Sequence, residues 1–429
     1  MNLIINYVKN MQISLIEFSL ENFKVFKNKA TFSMFARKDD KHTFETNGEN
    51  LLKTSLIYGP NATGKSSILD AFFLIKRIIQ LSANIPENQE NTKLQYIPFL
   101  GTKNNNNLPI VFEVTFSLMG IHDGIYRYEF SFLQDHIVSE KLVGISSKDK
   151  EDIFFSRNGQ NIKVEKDFKD MKDLLNKVRK ESLFLSVSAQ LNNSFALDIL
   201  NAFNSIIVVS GIHPMGPKST IKKIKEDEIY KEKFLNLLKV ADFCVTRINT
   251  KEIDTQQMGF KLDAGKMTVE PPKTIKNDVL LLGHPIYDEN NKAVDVFELD
   301  LFQESSGTLK FSMNLGPVID ALEGGKILFI DEFDNSLHPL LTKLIIDLFE
   351  SQETNKNNAQ LIVTTHDVSL LSYREDFIKD QFWFTEKDEF GSAKLFSLGE
   401  FNIRNDTEYA KKYLEGRFGA LPFISSLDK

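Results

Sequence analysis

Two stretches of alternating apolar and polar residues open the chain, at 13–23 and 26–35, and predict two antiparallel strands. A short apolar run at 53–58 predicts a buried strand. Beyond it Ile68, Leu69, Phe72, Ile75 and Ile79 recur at helical spacing until Ser82-Ala83-Asn84 ends the pattern. After a loop rich in asparagine (Asn104 to Asn107), Phe112, Val114, Phe116 and Leu118 share one face of a strand. Tyr126, Tyr128, Phe130 and Phe132 share one face of the next, with Asp123-Gly124 between them. Asn158-Gly159 predicts a further hairpin between 153–155 and 162–164.

From about residue 165 to 242 the period becomes helical. Phe168, Met171, Leu174, Leu175 and Val178 form one stripe, and Ile221, Ile224, Phe234, Leu237 and Leu238 another. A strand is expected at 296–302, then a helix from Leu309 toward Leu322 closed by Gly324-Gly325. The run Ile327-Leu328-Phe329-Ile330 is apolar throughout, as in a strand buried on both faces, and ends in Asp331-Glu332. A helix over 340–349 and a buried strand over 360–363 follow, the latter ending in Thr364-Thr365-His366-Asp367. Strands near 382–385 and 394–397 precede the closing segments 405–409 and 413–422.

Four of these boundaries carry chemistry. The 53–58 strand runs into Gly59-Pro60-Asn61-Ala62-Thr63-Gly64-Lys65-Ser66, a G-x-x-x-x-G-K-S sequence between a strand and a helix, which is the setting of a P-loop. Glycines let backbone N–H groups turn inward around phosphate oxygens, and the helix N-terminus adds partial positive charge. Lys65 is expected to reach the β- and γ-phosphates of ATP and Ser66 to ligate Mg2+, with Ser67 completing the nucleotide-binding segment. Paired acids at the end of a buried strand are costly unless something positive meets them. A magnesium nucleotide would do so, with Asp331 holding the metal and Glu332 preparing a water. Ser305, Ser306 and Gly307, just before the 309–322 helix, form a second candidate anion site by the same helix-end logic. His366, at the end of a core strand, is placed to sense a γ-phosphate.

Composition narrows the classes. At 429 residues the chain can bury a full core, and 42% apolar with 26% charged residues is ordinary for a globular protein. Its 36 phenylalanines against one tryptophan, Trp383, suggest a β-rich, aromatic core. Net charge is −7, so no overall basic field draws it to nucleic acid. Lysines at 218, 222, 223 and 225 are interleaved with acids at 226, 227, 228 and 232, as on a solvated helix face. The single cysteine, Cys244, precludes an internal disulfide. With no apolar run of membrane-spanning length and no signal peptide, a cytoplasmic location is expected, with Met11 as a possible alternative start.

In this order, the P-loop with Asn61 at its third position, Ser305–Gly307, the apolar-Asp-Glu strand, Asp334 and His366 resemble the ABC-type ATPase heads of the SMC, RecF and OLD group. Glu21-Asn22-Phe23 in the first strand is also similar to theirs. A closer resemblance is to compact AAA-family ATPases of bacterial phage-defence operons, of the AbiLi or RloA type, usually encoded beside an RloB-like protein with a TOPRIM nuclease fold. It rests on Ser305-Ser306-Gly307-Thr308, on Asp331-Glu332-Phe333-Asp334 with Leu337-His338-Pro339, and on the segment 413–420. The signature lacks the second glycine and the leucine of transporter heads, and no Q-loop is evident, Gln95 reading as a solvent glutamine.

The resemblance implies an α/β P-loop NTPase, an ABC-type ATPase head with an antiparallel β-subdomain and an inserted helical subdomain. The boundaries expected are 1–164 and 291–400 for the two parts of the head, 165–290 for the insertion and 401–429 for a tail. It further implies a homodimer that sandwiches ATP, with Glu332 activating water, His366 on the γ-phosphate and Asp334 linking the two sites. Abortive-infection defence through a separately encoded effector is then the expected role. The alternative is a RecF-like DNA-repair or recombination ATPase that binds DNA directly, and DNA or RNA is kept among the candidate partners. A built-in nuclease is disfavoured, because 63 residues after His366 are too few for a TOPRIM domain and no acidic nuclease cluster is present.

Overall fold

The structure, a computed structural model, describes residues 11–38, 40–84, 94–103, 107–146, 150–210, 218–258, 260–263, 266–269, 271–402 and 408–421. The asparagines at 104–106, residues 405–407 and Pro422 lie outside them. Two compact units are formed. The first comprises 1–213, 320–334 and 345–429, and the second 214–319 and 335–344.

The first unit begins with β1 (Gln12–Glu21), β2 (Ala30–Ser33), the hairpin β3 (Thr43–Thr46) and β4 (Glu49–Leu52), and β5 (Thr54–Tyr58). Helix α1 (Lys65–Leu81) leads into β6 (Ile110–Met119), β7 (Gly124–Phe132), β8 (Ile137–Ile145), β9 (Glu151–Asn158) and β10 (Asn161–Val164). Strands β10-β9-β8-β7-β6-β1-β2 make an antiparallel sheet in that order. The expected hairpins at Asp123-Gly124 and Asn158-Gly159 are present, pairing Leu118 with Gly124 and Asn158 with Asn161. The β3–β4 hairpin was not anticipated, although Asn47-Gly48 at its turn is a hairpin dipeptide with both residues at positive φ.

Next come α2 (Phe184–Gln190), α3 (Ser194–Ser205) and β11 (Ile207–Val209). Before them the 168–178 stripe forms a 3-10 run over Lys166–Lys177, not the expected α-helix. The spacing of Phe168, Met171 and Leu174 suits it, since positions i and i+3 eclipse in a 3-10 helix. The buried Glu140 of β8 accepts from Tyr128 Oη at 2.8 Å and from the N–H groups of Phe184 and Leu185 at 2.6 and 2.9 Å. It thereby ties the start of α2 to the sheet.

In the second unit, α4 (Lys218–Glu226) and α5 (Glu228–Val240) carry the expected stripe, with Ile221, Ile224, Phe234 and Leu238 buried. They are divided where Asp227 caps α5 through Tyr230 N–H. The lysines at 222, 223 and 225 are exposed, and Lys225 pairs with Asp278 at 2.8 Å. The second half of the expected helical insertion is instead β: β12 (Arg247–Gln257), β13 (Phe260–Asp263), β14 (Lys266–Val269), β15 (Lys273–Tyr287) and β16 (Ala293–Asp300). Strands β12-β15-β16 form an antiparallel sheet. Its mixed Thr, Gln, Asn and Lys surface hides the period-2 pattern that identifies strands with one dry face. Helix α6 (Ser306–Gly324) begins here, and Gly316 lies so close to Thr220 that a Cβ would meet its hydroxyl at 1.9 Å.

The remaining elements are β17 (Ile327–Ile330), α7 (Pro339–Glu350), β18 (Gln360–Thr364), β19 (Phe382–Lys387), β20 (Ala393–Ser397) and α8 (Tyr409–Leu414). A second sheet of the first unit has the order β11-β17-β18-β5-β19-β20, parallel except for the last pair. The expected α/β P-loop architecture is therefore observed. Helix α1 lies between the two sheets: Phe72 meets Phe18 of β1 at 5.0 Å and Phe329 of β17 at 4.5 Å. That explains why α1 is buried nearly all round. Gln360 bonds both the N–H and C=O of Leu15 beside a bulge in β1, at 2.7 and 3.1 Å, and so joins the sheets.

Candidate functional site

Strand β5 is buried at every position and delivers the chain to Gly59 at the C-terminal edge of the parallel sheet, where open α/β sheets keep ligands. Gly59 has φ +151, and a Cβ there would lie 2.3 Å from Thr385 Oγ1. Gly64, at φ +113, would meet the Phe26 ring at 2.8 Å. Neither position admits a side chain, so the loop is held in one shape. Thr63 Oγ1 fixes it further, donating to Pro60 O at 2.8 Å and lying 2.7 Å from Thr385 Oγ1. Asn61 and Ala62 are exposed at the crown, and Ala62 is itself left-handed at φ +62.

Lys65 folds back under this crown. Its Nζ donates to Gly59 O at 2.7 Å and Pro60 O at 2.9 Å. Burial pulls its pKa down to about 8, and the nearby charges of Asp331, Asp334 and Glu332 oppose that only in part. An ammonium so desolvated gains from a further anion. A phosphate fits that need.

The adjacent Ser66 donates to Asp331 Oδ1 at 3.1 Å. Asp331 is 4% exposed, and the same Oδ1 also accepts from Thr364 Oγ1. Strand β18 lies between β17 and β5, so Thr364 sits beside the end of β17. Thr364 Oγ1 also receives the N–H of Glu332 at 2.8 Å. Glu332 is left-handed at φ +47, a conformation costing a residue with Cβ roughly 1–2 kcal/mol. His366 donates its backbone N–H to both oxygens of Asp334, at 3.1 and 3.2 Å. Desolvation, then the Lys65 charge, lowers the pKa of its ring. The P-loop, Asp331, Glu332, Asp334 and His366 thus converge on one edge of one sheet.

The hydroxyl of Ser66 and the carboxylate of Asp331 are the oxygen donors that suit Mg2+. Among the described residues no group of three or more His, Cys, Asp or Glu could hold an ion. One hydroxyl and one carboxylate leave most of an octahedral shell open, a donor set that suits magnesium carried in with phosphate oxygens.

Ser305, Ser306 and Gly307 lie in the second unit. Ser305 Oγ accepts from Thr308 N–H at 3.2 Å and lies 2.8 Å from Thr308 Oγ1, so its oxygen caps α6. Ser306 is exposed, and a Cβ on Gly307 would crowd Ser336 O at 3.2 Å.

No motif marks Thr364 or Thr385, although both hold the site together. The available signal was a threonine placed directly after three apolar buried residues. It applies to both.

Among solved structures, the chain is similar to the SMC head domain from Thermotoga maritima, at 14% identity over 89% of this chain and 98% of that one, with a TM-score of 0.38. It is also similar to the SmcHead bound to the C-winged helix domain of ScpA (15% identity, 89% and 97% covered, TM-score 0.44). A third is the recombination mediator protein RecF-ATP of the RecFOR pathway (14%, 83% and 94%, 0.31). No curated protein matches the chain. Among the described residues no helix is long and apolar enough to cross a membrane. A family model described as "AAA domain, putative AbiEii toxin, Type IV TA system" matches residues 55–207 and 211–372, and the chain belongs to that AAA-domain family.

Proposed function

We propose that the protein is an ABC-type ATPase head that binds ATP at Gly59–Ser67 and hydrolyses it when a second copy closes over the site. One observation carries this. Ser66 and Asp331 are joined by a hydrogen bond beside a desolvated Lys65, and Thr364 fixes both Asp331 and the neighbouring Glu332.

In this reading the backbone of residues 59–64 cradles the phosphates and Lys65 carries the compensating charge. Ser66 and Asp331 would hold Mg2+, which when bound neutralises phosphate charge. Glu332 takes a proton from a water whose oxygen attacks the γ-phosphorus, the bond to the bridging oxygen breaks, and ADP leaves with that oxygen. His366, with its lowered pKa, is neutral at pH 7 and can donate one N–H to the γ-phosphate. The N-terminus of α6 in the partner copy, at Ser306 and Gly307, completes the site. Asp334, bonded to the His366 backbone, links that end of the sheet to the partner.

The biological role we infer is that of a sensor or switch for a separately encoded effector in anti-phage defence, of the AbiLi or RloA type, with an RloB-like nuclease as the expected partner. The family description, a type IV toxin–antitoxin system, supports a defence setting.

Phosphate release from ATP by the purified chain tests the reading. The parent should turn over and Lys65→Ala should not. A parent without turnover, or a variant with parental turnover, would overturn it.

A further inference from the structure

We infer that His284 is a positioning residue for the N-terminus of α6, holding the carboxylate of Glu304 away from the anion site at Ser306 and Gly307. The inference rests on the shared-site reading above.

Glu304 immediately precedes the capping Ser305. Its side chain is only 7% exposed, and its Oε1 lies 2.8 Å from His284 Nε2. His284 is on β15, directly opposite Phe297 on β16, and the two rings stack with centroids 5.4 Å apart and planes 28° from parallel. The imidazole is therefore clamped by an aromatic neighbour and presents Nε2 to one carboxylate. Further back, Asp300 and Gln303 cap the short turn over Leu301–Gln303, and Glu304 N–H closes it on Leu301 O at 3.3 Å. The chain thus reaches α6 through a fixed turn, with its last side chain tethered to the β12-β15-β16 sheet.

The tether matters because of charge. A helix N-terminus attracts any nearby anion, and a carboxylate one residue before the cap is always at hand. Left without His284, the buried Glu304 carboxylate loses its donor and is driven to find another. The N–H groups at the start of α6 follow it directly in the chain. They are the same groups that a phosphate of ATP held by the partner copy would use. His284 keeps them available, and acts on the phosphate only through Glu304.

ATP turnover as a function of protein concentration tests this in the full chain, alongside binding of a fluorescent ATP analogue. Loss of a hydrogen bond to a buried charge corresponds to about a tenfold effect. His284→Ala should therefore need about tenfold more protein for half-maximal specific activity. Its analogue affinity should stay parental, because Gly59–Ser67 are untouched. Adding Glu304→Gln to His284→Ala should restore the parental profile, since a neutral amide does not compete with phosphate. An unshifted His284→Ala, or a double variant as impaired as the single, would overturn the inference. Glu304→Gln alone should behave as the parent, and an impaired one would overturn it even if His284→Ala did not fold. A parent whose specific activity is independent of its concentration would overturn the shared-site reading, and this inference with it.

Discussion

Ser66 and Asp331 are 265 residues apart in the chain and 3.1 Å apart in the fold. The hydroxyl stands on the first turn of α1 and the carboxylate at the end of β17, with Thr364 of β18 sharing the same carboxylate oxygen. The sheet order makes this possible, because inserting β18 between β17 and β5 brings three strand ends to one edge. The chemistry proposed above depends on that convergence.

Lys65 should make nucleotide binding proton-linked. Its pKa in the folded chain is about 8 against 10.5 when exposed, so between these values the folded state holds fewer protons than the unfolded. Stability should then rise with pH across that window, because burying the charged form is unfavourable below about 8. Phosphates would restore the proton. At pH 8.5 ATP binding should take up as much as about one proton per site, and at pH 6.5 essentially none through this group. Calorimetry in buffers of different ionisation enthalpy measures the uptake. The same null at both pH values would show that Lys65 does not meet the phosphates.

Glu332→Gln should bind ATP with parental affinity and lose about 100-fold or more in turnover. The amide keeps the shape and the left-handed backbone but cannot take the proton. Sedimentation of this variant with ATP should show accumulated dimers. Parental turnover would move the base elsewhere.

Gln360→Leu should weaken the fold and leave the site's chemistry in place. The change orphans the buried Leu15 N–H and C=O, at roughly 1–3 kcal/mol for such groups. Denaturant unfolding should show a lower midpoint, while the KM for ATP stays parental in the folded protein. An unchanged midpoint would mean that β1 and β18 are held together by other contacts.

Much of this was legible in the chain because buried strands and helices leave periodic traces. The P-loop, α1, β17 and β18 lie within a residue or two of their expected bounds, and Asp331, Glu332, Asp334 and His366 meet as the motif order implies. The misses share a cause. Strands β12 and β15 carry little apolar alternation, so residues 247–287 fell inside an expected helical insertion. Strand β8 carries the polar run Ser139-Glu140-Lys141 in its interior, although Glu140 is buried and bonded at both oxygens. Gln360 and Thr364 act through partners hundreds or tens of residues away, and local pattern cannot supply those.

If each ATP site is built from two copies, mixing two inactive variants should restore activity. Lys65→Ala disables the P-loop, and Ser306→Asp places a carboxylate where the partner's phosphate is expected while suiting a helix N-terminus. Each alone should fail to turn over ATP. Mixed in equal amounts, half of the dimers would each carry one intact site, and turnover should recover to about a quarter of the parental rate. No recovery, with both variants folded and exchanging subunits, would contradict the account.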